Sequence, residues 1–161
     1  MTVTSVEQDL DRLTLTLTAE FDAPVERVWQ LWADPRQLER WWGPPTYPAT
    51  VEEHDLTPGG NVTYFMTGPE GDKHYGWWRV TAVNPPESLE FIDGFADADG
   101  KPSEDLPTTT VQVRLIANAG GTRMELRSTY DSREQMEQVL GMGVVEGLRQ
   151  SVGQIDALLA E

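Results

Sequence analysis

Leu13, Leu15, Leu17 and Ala19 alternate with Thr14, Thr16 and Thr18, the period of two that gives a strand one dry face and one wet face. After Ala23-Pro24 the spacing changes: Val25, Val28, Trp29 and Trp32 recur at three and four. That predicts a short helix, with Asp22 able to cap it and Pro24 in its first turn. Asp34-Pro35 breaks this helix and starts a second one holding Leu38, Trp41 and Trp42. Gly43-Pro44-Pro45 ends it, because a residue before proline is pushed out of the helical region. From Ala49 onward, short β-branched or aromatic runs alternate with Pro-Gly-Gly, Gly-Pro-Glu-Gly, Asn-Pro-Pro and Gly-Gly, the punctuation of an antiparallel meander. Six strands follow, near 49–56, 61–67, 74–84, 87–95, 107–117 and 121–130, with Val62, Tyr64, Met66, Met124, Leu126 and Ser128 facing inward. Helical spacing then returns. Asp131 with Glu134, or Ser132 with Gln135, forms a capping box before an apolar face running from Met136 to Leu159. One amphipathic helix of about 40 Å is expected, long enough to cover one face of the sheet. The expected class is α+β, with seven antiparallel strands, two short helices after the first strand and a long C-terminal helix.

That helix carries Gly141, Gly143, Gly147 and Gly153, each costing about 1 kcal/mol against alanine in a helix interior. Gly143 and Gly147 project onto the apolar face beside Leu140 and Val144, where a missing side chain either lets the sheet come close or leaves space. Taken alone, the glycines favour close packing. The aromatic supply tilts toward a cavity, because Trp41, Trp42, Tyr64, Phe65, Trp77, Trp78, Phe91 and Phe95 crowd the middle third of the chain. Met142 falls on the back of the projected helix, which a straight helix does not explain.

Composition narrows the function. The 161 residues suit one domain, 1–161, with residues 1–10 and the polar loop Asp97–Leu106 expected to be loosely ordered. Twelve Lys and Arg against 27 Asp and Glu give a net charge of −15, so nucleic acid and anionic membrane surfaces are poor partners. Cysteine is absent, which excludes disulfides, thiolate nucleophiles and Cys-based metal centres. Glu7, Asp9 and Asp11 stand where a signal peptide would carry basic residues, and no stretch approaches 20 apolar residues. The expectation is a cytoplasmic protein.

Candidate chemistry is sparse. The histidines are His54 and His74; beside His54 lie Glu52, Glu53 and Asp55, but neighbouring strand residues point to opposite faces, so structural or solvated roles are favoured over a metal site. No Gly-x-Ser-x-Gly occurs, and Pro58-Gly59-Gly60 leads into a strand rather than opening a phosphate-binding helix. No catalytic residue, metal or cofactor is predicted. The polar groups set among aromatics are Tyr64, His74, Arg79, Asp93, Ser128 and Tyr130. Taken singly, solvent exposure is the favoured reading of each; any that faced a pocket would need a partner or a matching ligand group. Of Trp41 and Trp42, one is expected to staple the short helix and the other to line a pocket, since adjacent helical residues project 100° apart.

Several blocks resemble a known family. FDAPVERVWQLWADP (21–35) and LERWWGP (38–44) are similar to the opening signature of the bacterial homologue-like family of the activator of heat-shock protein 90 ATPase, in the START-like helix-grip (SRPBCC) superfamily. DLTPGG (55–60), GPEG (68–71), VNPPESLEF (83–91), GTRMEL (121–126) and MGVVEGL (142–148) resemble its later blocks, in order. Leu148 departs from the pattern, many relatives carrying Trp there. The resemblance implies a seven-stranded sheet curled around the C-terminal helix and an apolar pocket between them. It does not imply one function, so function rests on the pocket.

The expected pocket residues are Trp41 and Trp42 from the second helix, Tyr64, Met66, Trp78, Phe91, Val113 and Leu126 from strands, and Leu140, Gly143, Val144 and Gly147 from the long helix. The leading expectation is non-catalytic binding of a small apolar or aromatic molecule. A cyclase- or hydrolase-type enzyme using the same pocket is the first alternative, favoured if two polar groups converge there with perturbed pKa values. A chaperone-interacting protein is the second, by resemblance to the C-terminal domain of the activator. Pairing of relatives through exposed surfaces also makes a homodimer an expectation of the resemblance.

Overall fold

In the computed structural model, which describes residues 3–99, 101–103 and 106–161, the strand and turn signals become one antiparallel sheet. Its strands are β1 (Val3–Asp9), β2 (Thr14–Phe21), β3 (Ala49–His54), β4 (Asn61–Thr67), β5 (Lys73–Asn84), β6 (Ser88–Ala96), β7 (Thr109–Asn118) and β8 (Gly121–Thr129). Across the sheet they lie in the order β1-β2-β8-β7-β6-β5-β4-β3. Among the described residues the sheet therefore has eight strands, not the seven expected. The added strand is β1, in the stretch expected to be loose. Its run of Glu7, Gln8 and Asp9 hides any alternation, yet it pairs with β2 and lays half-buried Val3 and Val6 against the core. Charged residues are what an edge strand tolerates, since one side of it meets no neighbour. Met1 and Thr2, and Gly100, Glu104 and Asp105 of the expected loose loop, lie outside the described residues.

The helices also differ from expectation. Helix α1 (Val25–Ala33) begins with Pro24 in the N-cap position, not capped by Asp22. Helix α2 (Pro35–Leu38) is capped by the Asp34 carboxylate, which accepts from the Arg36 N–H at 2.9 Å; it ends before Trp41 and Trp42, which continue in turns. The predicted 40 Å helix is three segments: α3 (Arg133–Gly141), α4 (Val144–Gly153) and α5 (Ile155–Leu159). Ser132 caps α3 by accepting from Gln135 N–H at 3.1 Å. Its end is set by Gly143, whose φ of 83° is left-handed, a conformation that glycine reaches without the Cβ penalty and that terminates helices. This break accounts for Met142, which turns outward and is 50% exposed. Near the second break, the Gln154 side-chain amide donates to the Gly43 carbonyl at 2.7 Å and pins the helix end to the turn after α2.

The core is divided. The larger cluster joins α1, the middle of the sheet and Val152, Ile155 and Leu158 of the last helices. Its centre is aromatic: Trp78 stacks on Phe91 with centroids 3.9 Å apart, and Trp32 meets Trp41 edge-on at 4.8 Å. Such pairs add about 0.5–1.5 kcal/mol to their area burial. A smaller cluster of Leu15, Tyr130, Met136 and Val139 holds α3 to the sheet. Among the described residues no helix is long and apolar enough to cross a membrane.

Candidate functional site

Between the two clusters the helices stand off the sheet and leave a cavity of about 320 Å³. Its sheet wall comes from inward positions at one end of each strand: Tyr64 and Met66 of β4, Gly76 of β5, Asp93 and Phe95 of β6, Thr109 and Val111 of β7, Leu126 and Ser128 of β8, then Tyr130. Val144, Gly147, Leu148 and Ser151 of α4 form the opposite wall, and Trp42 closes one side. Phe95 and Met142 are the large hydrophobic side chains exposed among the described residues, at 38% and 50%, and both line this cavity. They mark its opening.

The glycines decide between close packing and space. A Cβ built on Gly141, Gly143, Gly147 or Gly153 meets nothing within 4 Å. Close approach of helix and sheet is therefore not what these residues permit; at Gly143 and Gly147 the missing side chains leave open volume. Gly76 works differently. It is the cross-strand partner of Tyr64, and a Cβ there would lie 2.4 Å from the Tyr64 ring carbon that bears the hydroxyl and from the hydroxyl oxygen, so the hydroxyl end of the ring occupies the space a side chain would fill.

That placement brings the Tyr64 hydroxyl to Asp93, where it donates to Oδ1 at 3.0 Å. Burial pushes the Asp93 carboxyl up to about 7, against the pull of the Tyr64 hydroxyl and the Gly94 N–H toward the anion. Tyr64 is driven well above the usual phenol range, first by burial and then by the adjacent carboxylate. Tyr130 is pushed up to about 12 by burial, with Ser128 opposing and Asp93 adding to the rise. Both phenols are thus held neutral, as donors, around a carboxyl poised between its two forms. The buried indole N–H groups of Trp42 and Trp78 make no hydrogen bond of ordinary geometry, but both stand close enough to the Tyr64 hydroxyl to oppose its rise.

Seven of the twelve expected pocket residues line the cavity: Trp42, Tyr64, Met66, Leu126, Gly143, Val144 and Gly147. Five do not. Trp41 donates to the Leu31 carbonyl at 2.9 Å within the core, the staple role expected for one of the tryptophan pair. Trp78, Phe91 and Val113 are core residues, one inward position farther along their strands than the cavity wall, and Leu140 packs on the α3 cluster. Of the polar residues singled out, Tyr64, His74, Asp93, Ser128 and Tyr130 reach the cavity, whereas Arg79 is exposed. His74 sits at its edge, paired with Asp72 at 2.5 Å. His54 is half-buried, with Nε2 3.0 Å from the Trp32 carbonyl. Among the described residues, no three His, Asp or Glu side chains group as a metal site. Thr109, Val111 and Ser151 line the cavity without having been expected to. Thr109 is the cross-strand partner of Asp93, and Ser151 lies one helical turn after Gly147, so register with those two residues was the available signal.

Residues 22–160 match the family model described as activator of Hsp90 ATPase homolog 1-like protein. Protein Ms6760 from Mycobacterium smegmatis is 58% identical, with 98% of this chain and 96% of that one covered and a TM-score of 0.91. A protein from Arthrobacter aurescens is 52% identical, covering 99% and 92%, with a TM-score of 0.95. The AHSA1 protein from Silicibacter pomeroyi is 26% identical over 91% and 97%, with a TM-score of 0.72. No curated protein matches this chain.

Proposed function

The chain belongs to the activator of Hsp90 ATPase homolog 1-like family, and from that membership and the geometry of its cavity we propose that it binds one small molecule with an apolar or aromatic body, without turning it over. The observation that carries this reading is the hollow of about 320 Å³ beneath Gly147, on a helix face that carries glycine with nothing against it. A helix accepts glycine at a penalty of about 1 kcal/mol per residue, and close packing does not explain it here. A ligand of about a dozen heavy atoms at roughly 0.5 kcal/mol each would bind in the tens of micromolar range.

Titration with the neutral fluorophore N-phenyl-1-naphthylamine tests it. The expected result is a saturable, one-to-one fluorescence rise that disappears in Gly147→Phe, whose side chain enters the hollow while the circular dichroism stays unchanged. A signal that does not saturate, or one that survives Gly147→Phe, sinks the reading.

A second reading, a cyclase- or hydrolase-type enzyme, is favoured by the convergence of Asp93, Tyr64 and Tyr130 in the same hollow with their pKa values displaced. A carboxyl titrating near 7 is suited to taking or giving a proton at neutral pH. Mass spectrometry of each bound compound after prolonged incubation separates the two. Chemical change that Asp93→Asn abolishes, with binding retained, makes the protein an enzyme; recovery of unaltered ligand supports a carrier.

A further inference from the structure

Resting on the binding reading above, we propose that the cavity selects cations: its preferred ligand class is an apolar or aromatic amine whose ammonium group meets the Asp93 carboxylate, in preference to the matching alcohol and above all to the matching carboxylic acid. An apolar pocket by itself is indifferent to head-group charge. Here the charge is on one side only. Asp93 is the one carboxylate among the described residues of the cavity wall, and no Lys or Arg lines it. Arg79, the base whose inward orientation would have admitted anions, is exposed. His74 at the edge is paired with Asp72.

Asp93 also has capacity to spare. A carboxylate offers about four lone-pair sites, and the hydrogen bond it takes from a described side chain is the one from the Tyr64 hydroxyl to Oδ1. Tyr64 fixes the orientation of the carboxyl group without neutralising it. Trp42, Tyr64 and Tyr130 line the same cavity, rings of the kind that attract a cation through their quadrupoles. A second hollow that shares Tyr64, Tyr75 and Gly76 with the cavity carries Glu52, Glu53 and Asp99 and neither Lys nor Arg. With a net charge of −15 the whole molecule draws cations inward.

The opposite ligand meets the opposite physics. A carboxylate placed beside Asp93 puts two like charges in an apolar enclosure, where one must take up a proton before both can stay. An ammonium group instead offsets the burial that raises the Asp93 carboxyl.

The test uses three naphthalenes that differ only in the head group: 1-naphthylmethylamine, 1-naphthylmethanol and 1-naphthoate. Each is titrated calorimetrically at pH 7.5 and low salt into the wild-type protein and into Asp93→Asn. The expected ranking in the wild type is amine at least tenfold tighter than alcohol, and alcohol tighter than naphthoate. In Asp93→Asn the amine should fall to within about threefold of the alcohol. An amine no tighter than the alcohol, or a preference that survives Asp93→Asn, overturns the proposal while leaving the cavity a binding site. No binding by any of the three overturns both. The ranking in the wild-type protein alone decides the question if the variant fails to fold.

Discussion

The two ends of one sheet face are finished in opposite ways. Along β6, Leu89 and Phe91 are sealed in the core, and two residues later Asp93 faces a hollow. On β5 the same step leads from Trp78 to Gly76, and on β8 from Met124 to Leu126 and Ser128. One end is closed by α1, α5 and a knot of tryptophans; the other is covered by α3 and α4, whose glycines hold the helix layer open. The packed end fixes strand register, since a slip of one residue would turn every side chain to the other face. With register fixed there, the open end is free to carry polar groups that a self-sufficient core would reject.

Trp78→Ala gives the largest effect that separates the two ends. Trp78 is fully buried and stacked on Phe91, so its truncation should cost about 3–5 kcal/mol, read from the denaturant midpoint. A loss below about 1 kcal/mol would mean that the tryptophan end is not the anchor of the fold.

Asp93→Asn comes next, and pH supplies the sign. The folded carboxyl titrates near 7, above the unfolded value near 3.9, so the folded state holds its proton longer. The stability that this confers is whole below about pH 4 and is lost as pH rises to about 7. Three units at about 1.4 kcal/mol set a ceiling near 4 kcal/mol; with the side chain half-open to the cavity, about 2 kcal/mol is the expected scale. The variant should match the wild type at pH 4 and exceed its stability by that amount at pH 8. The facing phenols Tyr64 and Tyr130 stay protonated throughout, and His74 lies at the edge with Asp72. A difference that does not vary with pH would place Asp93 in water.

The packed end was the more legible in sequence because hydrophobic periodicity reports burial, which is what that end does throughout. Leu17 and Ala19 are buried as their alternation implies, and Val28, Trp29 and Trp32 bury the face that their helical spacing marks. The open end was legible only in outline. Gly147 could be placed on the apolar face, but whether it admitted a strand or left space depended on a helix path that Gly143 bends. Trp78 and Phe91 were expected in the pocket because periodicity assigns a face, not a position along it. Strand β1 was missed for a related reason: it is held by pairing with the β2 backbone, which no side-chain pattern records.

Gly76→Ala sharpens the comparison at its boundary. The added methyl would meet the Tyr64 ring at 2.4 Å, so the ring must move and its bond to Asp93 break. A cost of about 1–3 kcal/mol is typical of such overpacking, with a fall in the preference for amine over alcohol greater than the fall in alcohol binding. Unchanged stability would show that Tyr64 has room to spare.

Gly147→Ala carries the smallest effect and the one of opposite sign. Every substitution at the packed end should destabilise, but here nothing lies within 4 Å of the new methyl, and alanine is better than glycine in a helix by up to about 1 kcal/mol. The melting temperature should therefore rise by a few degrees, while the affinity for 1-naphthylmethanol falls because the methyl occupies ligand space. Stability and binding moving apart at one residue is what a helix thinned to make room predicts, whereas a helix thinned for packing predicts that both fall together.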